Sequence, residues 1–232
     1  MKDIVNYWEE EWLKITDFTN VTSKDDLMLE QNTNLKEVII VVTNRIVDKY
    51  EARSYPNDDF NNNGKIELYE VDVFEILIRS TDYTGTFITK KYKAPRFMPY
   101  WNDPQNPIEK YKSLGWINAG LSKARNIIVS RFIANYEVSN RYSPGRGAIV
   151  LEGAFYIHAG PSSIDEYGFG SAGCIEIIGD FDDFKSDIHV LSGFSGKSSD
   201  DAISELIRQR KLKVIIEEAK TPDIKTKFTR EI

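Results

Sequence analysis

The sequence predicts a mainly β fold with a few helices, folded as a single domain. Segments rich in Val, Ile, Tyr, Phe and Thr, partly alternating with polar residues, recur along the chain as they do in strands. A length of 232 residues with 41% hydrophobic residues fits one large domain with a sizeable core. The sequence contains no internal repeat, low-complexity segment or linker. We therefore assign residues 37–232 to one β-rich domain.

The elements are predicted in the following order. Residues 1–36 form an N-terminal helix, with apolar residues on one face over 4–15, and then a polar lead-in. Strands are predicted at 37–47, 65–80, 85–92, 127–136 and 212–219, and a hairpin or bent strand, broken at Gly153, at 148–158. Four prolines predict an irregular, ordered loop over 94–116. The clearest helix is 198–210, because Ser198 or Ser199 can cap it and its last turn is basic.

Charge and hydropathy exclude several classes of protein. The net charge of −6 argues against a general nucleic-acid-binding protein, which usually needs a basic face. The longest apolar run, residues 38–42, is far shorter than a membrane span. Between residues 90 and 146, eleven basic residues outnumber three acidic ones. This segment is either a solvated face balanced by acidic neighbours or a positive surface for an anionic polymer such as the cell wall.

One cysteine and two histidines limit the choice of catalytic residues. His158 ends a predicted strand, and Cys174 follows sixteen residues later, after a turn of small residues. A thiol nucleophile needs a base and an oxyanion stabiliser, which His158 and the amides of Gly173 and Cys174 can supply. Ser171 is placed to bond the turn or the imidazole, and such a dyad would raise the thiolate fraction of Cys174. The alternative interpretation of Cys174 is an inert buried thiol. His189 is predicted to be structural, and it is the base only if His158 is not.

These residues resemble a known catalytic signature. The motif of YkuD-type L,D-transpeptidases is similar to His158 and Gly160 followed by Ser-Ala-Gly-Cys-Ile over 171–175. The form of the motif in this chain resembles most the one found among type VI secretion effectors. The resemblance covers about residues 146–180, with the motif at 155–178. It implies a β-sandwich-like catalytic domain in which Cys174 attacks the L-to-D bond of a peptidoglycan stem peptide and forms a thioacyl intermediate. It also implies that Gly160 and Tyr156 contact substrate and that no metal or organic cofactor is needed.

Two positions depart from the family pattern. Glu176 stands where the usual enzymes carry an arginine that holds a donor carboxylate, and Ala159 stands where glycine often follows the histidine. Arg146 is the candidate replacement for the missing cation. If the strand after Cys174 is extended, Glu176 shares its face and selects a donor that presents an amine, or pairs with Arg146. If the strand begins with a bulge, Glu176 faces solvent.

The resemblance implies a peptidoglycan-modifying cysteine L,D-transpeptidase or L,D-carboxypeptidase, and its motif is the one found in secreted antibacterial effectors. The alternatives are an inactive wall-binding or structural module of the same fold, and another cysteine amidase. The N-terminus shows no secretory signal, so we expect synthesis in the cytoplasm and export to the periplasm or cell wall by a secretion system or another non-classical route. A toxin of this kind would have an immunity protein as partner.

A second motif predicts a calcium loop. Asp59, Asn61 and Asn63 occupy ligand positions 1, 3 and 5, Gly64 provides the sharp turn, and Glu70 is the acid at position 12. The flanking segments are predicted strands instead of the helices of an EF-hand. The alternative is a polar turn, since the run of asparagines before Gly64 is a strong turn signal.

Overall fold

The computed structural model describes residues 35–53, 55–56, 58–59, 63–81, 84–97, 99–101, 121–136, 146–153, 155–168, 174–221 and 228–232. Strands dominate this part of the chain, which confirms the mainly β prediction. The predicted N-terminal helix and most of the predicted proline-rich loop lie outside the described residues.

The larger sheet contains six of the described strands, in the order β12-β3-β1-β11-β6, with β4 also paired to β3. Only β1 and β11 run parallel in it; its other pairs are antiparallel. These strands are β1 (Val38–Arg53), β3 (Glu67–Thr81), β4 (Phe87–Pro95), β6 (Arg125–Ile128), β11 (Leu212–Ile216) and β12 (Phe228–Glu231). A separate parallel pair joins β2 (Tyr55–Pro56) to β5 (Tyr100–Trp101).

The first strand is longer than the sequence predicts because it continues through a bend. Its pairing with β3 shifts register between Val42 and Ile46 and again before Asp48, as at β-bulges, which bend a strand and increase its twist. Beyond the bend, Tyr50 and Ala52 are buried in a second small cluster. The charged residues that alternate with them obscured this half of the strand in the sequence.

The smaller sheet carries the candidate site. Its described strands follow the order β10-β9-β8-β7, and only β9 and β10 run parallel. They are β7 (Phe132–Ile133), β8 (Ala148–Glu152), β9 (Phe155–Ala159) and β10 (Ile175–Ile177). The predicted hairpin is confirmed, with Gly153 at a φ of 57° in the turn. The single strand predicted over 127–136 is wrong: β6 and β7 belong to different sheets, and the chain passes between them at residues 129–131.

Two helices lie within the described residues, α1 (Phe181–Ser192) and α2 (Ser199–Arg208). The predicted cap of α2 is confirmed, because the Ser198 side chain accepts a hydrogen bond from the Asp201 amide. The sequence analysis assigned no helix to α1. Asp180 caps its N-terminus, and Gly193 ends it in the left-handed conformation.

One cluster of buried apolar side chains joins both sheets and both helices. It includes Ile40 and Val42 from β1, Ile157 from β9, Phe184 from α1 and Ile203 from α2. Neither described helix has the length and apolar character that crossing a membrane requires.

Candidate active site

Four of the predicted site residues lie on one face of the smaller sheet. In the parallel pair β9–β10, Ile175 is opposite Ile157 and Glu176 is opposite His158. Because side chains alternate along a strand, the two isoleucines share the core face, whereas His158 and Glu176 share the other. Extending the register by one residue puts Cys174 beside Tyr156. This register agrees with the prediction that Cys174 and Glu176 share a face, and the burial of Glu176 shows that the alternative in which it faces solvent is wrong.

The same register makes His158 and Cys174 diagonal neighbours. In a regular sheet, adjacent strands are about 4.8 Å apart and alternate residues about 6.6 Å apart, which corresponds to about 8 Å between the Cα atoms of a diagonal pair. His158 is only 1% exposed, and its Nδ1 donates to the Ala159 carbonyl oxygen at 2.7 Å. That hydrogen bond leaves Nε2 as the nitrogen with a free lone pair, which is the tautomer that a general base needs.

Burial keeps both members of the candidate dyad uncharged. It lowers the pKa of His158 to about 4, although the hydrogen bond to Ala159 acts in the opposite direction. Burial also raises the pKa of Cys174 to about 12; a backbone hydrogen bond from Tyr156 lowers it in part, and the charge of Glu176 raises it further. The thiol is 8% exposed. The expected rise in thiolate fraction is therefore wrong for the resting site.

Glu176 is a buried acid at the centre of the site. Its side chain is 1% exposed, and burial raises its pKa to about 8. Its Oε2 atom has no hydrogen-bond partner within the part of the chain that the structure describes. The carboxyl is therefore largely protonated near neutral pH, which argues against its acting as a fixed negative charge.

Arg146 does not contact Glu176. Its guanidinium lies 2.9 Å from the Asp180 carboxylate and 3.9 Å from that of Asp182, at the N-terminus of α1. The pairing of Arg146 with Glu176 that the sequence suggested is therefore not formed, and the guanidinium is paired with carboxylates at the start of α1.

Gly160 allows the close approach of two backbones beside the site. Its amide donates to the Ile177 carbonyl oxygen at 2.9 Å. A Cβ at this position would lie 2.9 Å from that oxygen and 3.0 Å from the Glu176 Cβ. Glycine is therefore required here by packing, whatever its contact with substrate.

Sequence reasoning missed two residues near the site. The Tyr136 ring lies 5.0 Å from that of Tyr156 and 5.9 Å from that of His158. Arg131 acts electrostatically on the Tyr156 phenol, whose pKa is raised chiefly by burial and also by Cys174. The β7–β8 register, extended by one residue, puts Arg131 beside Val150, which pairs with Tyr156. No local motif marked either residue, because both reach the site only through strand pairing.

Three predicted site residues, Ser171, Gly173 and Asn61, lie outside the described residues. His189 lies on α1, where its Nε2 is 3.2 Å from the Phe194 carbonyl oxygen and its ring packs against that of Phe194. These contacts agree with the structural role predicted for His189.

The predicted calcium loop has the contacts of a capped turn. The Asp59 carboxylate accepts hydrogen bonds from the amides of Asn63 and Gly64, at 3.0 and 2.8 Å. Glu70 lies on β3, and its carboxylate is 3.7 Å from the Lys49 ammonium. Across the described ranges, no three Asp, Glu, His or Cys side chains come close enough together to hold a metal ion.

The basic segment over 90–146 is largely paired where the structure describes it. Lys90, Lys91 and Lys93 lie within 3.1 Å of carboxylates of Asp187, Glu75 and Asp48, respectively. Arg96 is buried and donates to backbone carbonyl oxygens of three other segments. These contacts favour the interpretation of a balanced surface over that of a positive binding surface.

The chain matches no known family model, no curated protein and no solved structure.

Proposed function

We propose that this protein is a cysteine acyltransferase of the L,D-transpeptidase type, with a β-sandwich-like catalytic domain that acts on peptidoglycan stem peptides. The observation that supports the proposal is the register that pairs His158 with Glu176, two residues after Cys174, with the imidazole held by the Ala159 carbonyl. Secretion as an antibacterial effector, with an immunity protein as partner, is the narrower form of the proposal.

In the proposed reaction, the Cys174 thiol transfers its proton to His158 Nε2 as the sulfur attacks the scissile carbonyl. The bond from that carbonyl to the D-residue nitrogen breaks, and the leaving amine takes the proton from the imidazolium. An amine or water then attacks the thioester carbonyl and gives up a proton to His158 Nε2; the bond from the carbonyl carbon to sulfur breaks, and the imidazolium returns the proton to the Cys174 sulfur. Transfer to an amine gives transpeptidation, and transfer to water gives carboxypeptidase cleavage.

The pKa values of Cys174 and His158 before substrate binds constrain the order of the steps in this mechanism. With a pKa of about 12 for the thiol and about 4 for the imidazole, the ion pair is not the resting state. Proton transfer must therefore accompany attack on the bound substrate, instead of preceding it. Pre-formed thiolate is not part of the proposal.

Incubation with purified muropeptides tests the proposed function. We expect the wild-type protein to shorten tetrapeptides or to form 3-3 dimers, and Cys174→Ala and His158→Ala to do neither. His189→Ala is the matched control, because its contacts are structural, and it should keep the activity. Turnover by Cys174→Ala, or loss of activity with His189→Ala but not with His158→Ala, would contradict the assignment.

The burial of an uncharged thiol favours a second candidate, an inactive wall-binding or structural module of the same fold. A cysteine held neutral and 8% exposed behaves as a small hydrophobic side chain. This candidate predicts that Cys174→Ala binds purified peptidoglycan as well as the wild type does, and that neither protein changes the muropeptide profile.

A further inference from the structure

Glu176 is a buried carboxyl with an unused oxygen. Its Oε2 atom is buried without a hydrogen-bond partner in the described part of the chain. His158, which lies opposite Glu176, uses its Nδ1 to donate to the Ala159 carbonyl oxygen, and Arg146 pairs with Asp180 instead of Glu176. Buried polar groups are normally hydrogen-bonded, so an exception of this kind calls for an explanation, and a ligand that bonds the oxygen supplies one.

The free oxygen belongs to the same site as the thiol. Glu176 follows Cys174 by two residues on one strand face, and its charge raises the pKa of the thiol, so the two groups are within electrostatic reach. On the adjacent segment, Gly160 packs closely against the Glu176 Cβ. Because alternate residues of a strand are about 6.6 Å apart, a ligand that reaches Cys174 comes close to Glu176.

This inference rests on the proposed function and names the substrate class. We propose that Glu176 selects acyl donors that present an uncharged carboxamide, instead of a carboxylate, next to the bond that Cys174 attacks.

The hydrogen-bonding groups of the two partners are complementary. A protonated carboxyl has one O–H donor and one free acceptor oxygen, whereas a carboxamide has one acceptor oxygen and two N–H donors. The two groups therefore form reciprocal hydrogen bonds without burying a charge. Burial raises the pKa of Glu176 to about 8, so the protonated form is the one that a donor meets at neutral pH. A donor carboxylate would add a buried negative charge, because two carboxyl groups in one site cannot both ionise freely.

The proposal is tested with two synthetic stem tetrapeptides that differ only in whether the C-terminal carboxyl group is free or amidated. At pH 7, the wild-type protein should show a kcat/KM at least about tenfold higher for the carboxamide. Glu176→Gln should reduce this ratio to about threefold or less, because a side-chain amide can donate to either terminus. Glu218→Gln is the matched control, since Glu218 is exposed on the segment after β11, and it should keep the wild-type ratio.

The outcomes separate the inference from the proposed function. Equal turnover of both peptides by the wild type overturns the inference and leaves the proposed function standing. If the wild type prefers the carboxylate peptide and Arg131→Gln abolishes that preference, the inference about Glu176 is also overturned. Donor recognition is then assigned to Arg131.

Absence of turnover with either peptide overturns the proposed function. Calorimetric titration of Cys174→Ala with the two peptides then decides the inference: selective binding of the carboxamide supports it, and equal or absent binding overturns it.

Discussion

Replacing Glu176 by glutamine should stabilise the protein relative to wild type, and this difference in the free energy of unfolding should increase as the pH rises. Burial raises the pKa of Glu176 to about 8 from its ordinary value of 4.5. The folded state therefore prefers the protonated carboxyl. Its stabilising effect is fully present below pH 4.5 and is lost progressively as pH rises towards 8, since the unfolded chain ionises first. One pKa unit corresponds to about 1.4 kcal/mol, so ionisation favours the unfolded state by about 3 kcal/mol at pH 7. Glu176→Gln removes this penalty.

Urea unfolding of the wild type and of Glu176→Gln between pH 5 and 8.5 measures the effect. The adjacent His158 also titrates: its pKa is lowered from 6.5 to about 4, so its contribution is present above pH 6.5 and is lost as pH falls towards 4. The imidazole titrates in the unfolded state of both proteins alike and is neutral in both states well above pH 6.5, so the difference between the proteins reports Glu176. The free energy of unfolding of Glu176→Gln relative to wild type should rise by about 2 kcal/mol between pH 6.5 and 8.

The exposed control Glu218→Gln should show no such rise. The loss of hydrogen bonds in Glu176→Gln adds an offset that does not depend on pH, so only the slope matters. A difference between Glu176→Gln and wild type that stays constant from pH 6.5 to 8 would refute the assignment of a buried, protonated Glu176.

The remaining predictions concern packing, the thiol and the turn. Gly160→Ala should lower the free energy of unfolding by about 1–3 kcal/mol in urea titrations, because its Cβ would lie 2.9 Å from the Ile177 carbonyl oxygen; an unchanged midpoint would show that the backbones can separate. Arg96→Met should cost about 3 kcal/mol or more in the same assay, since three backbone carbonyl oxygens lose a charged donor, and a loss below about 1 kcal/mol would contradict this role. Native Cys174 should react with iodoacetamide at pH 7 at least about tenfold more slowly than the urea-unfolded chain, because it is buried and its pKa is raised to about 12; equal rates would disprove its burial. Millimolar calcium should leave the melting temperature unchanged within about 1 °C, since the Asp59 oxygens already cap a turn, and a clear rise would restore the calcium interpretation.

Local signals were enough to predict several elements. The hairpin at 148–158 was recognisable because Gly153 interrupts two apolar segments, and its φ of 57° explains why glycine stands there. The start of α2 was recognisable because Ser198 and the acidic residues after it form an N-terminal signature. In both cases the residues that specify the element lie within a few positions of one another.

Features that depend on pairing between distant segments could not be predicted in the same way. An acidic residue such as Glu176 is expected at the surface, yet it is buried on the smaller sheet opposite His158, which no local pattern indicates. Arg96 was counted with an exposed basic segment, although it bonds carbonyl oxygens from three distant parts of the chain. Tyr136 reaches His158 only because β7 joins the sheet beside β8.

The central claim is that Cys174 carries an acyl group during the reaction. Intact-protein mass spectrometry of wild type quenched with acid during incubation with a stem tetrapeptide tests it most directly, followed by peptide mapping. We expect a mass increase equal to the tripeptide acyl group, located on Cys174, absent in Cys174→Ala and present in His189→Ala. Tripeptide or 3-3 dimer formation by Cys174→Ala, or an acyl group mapped to another residue, would contradict it.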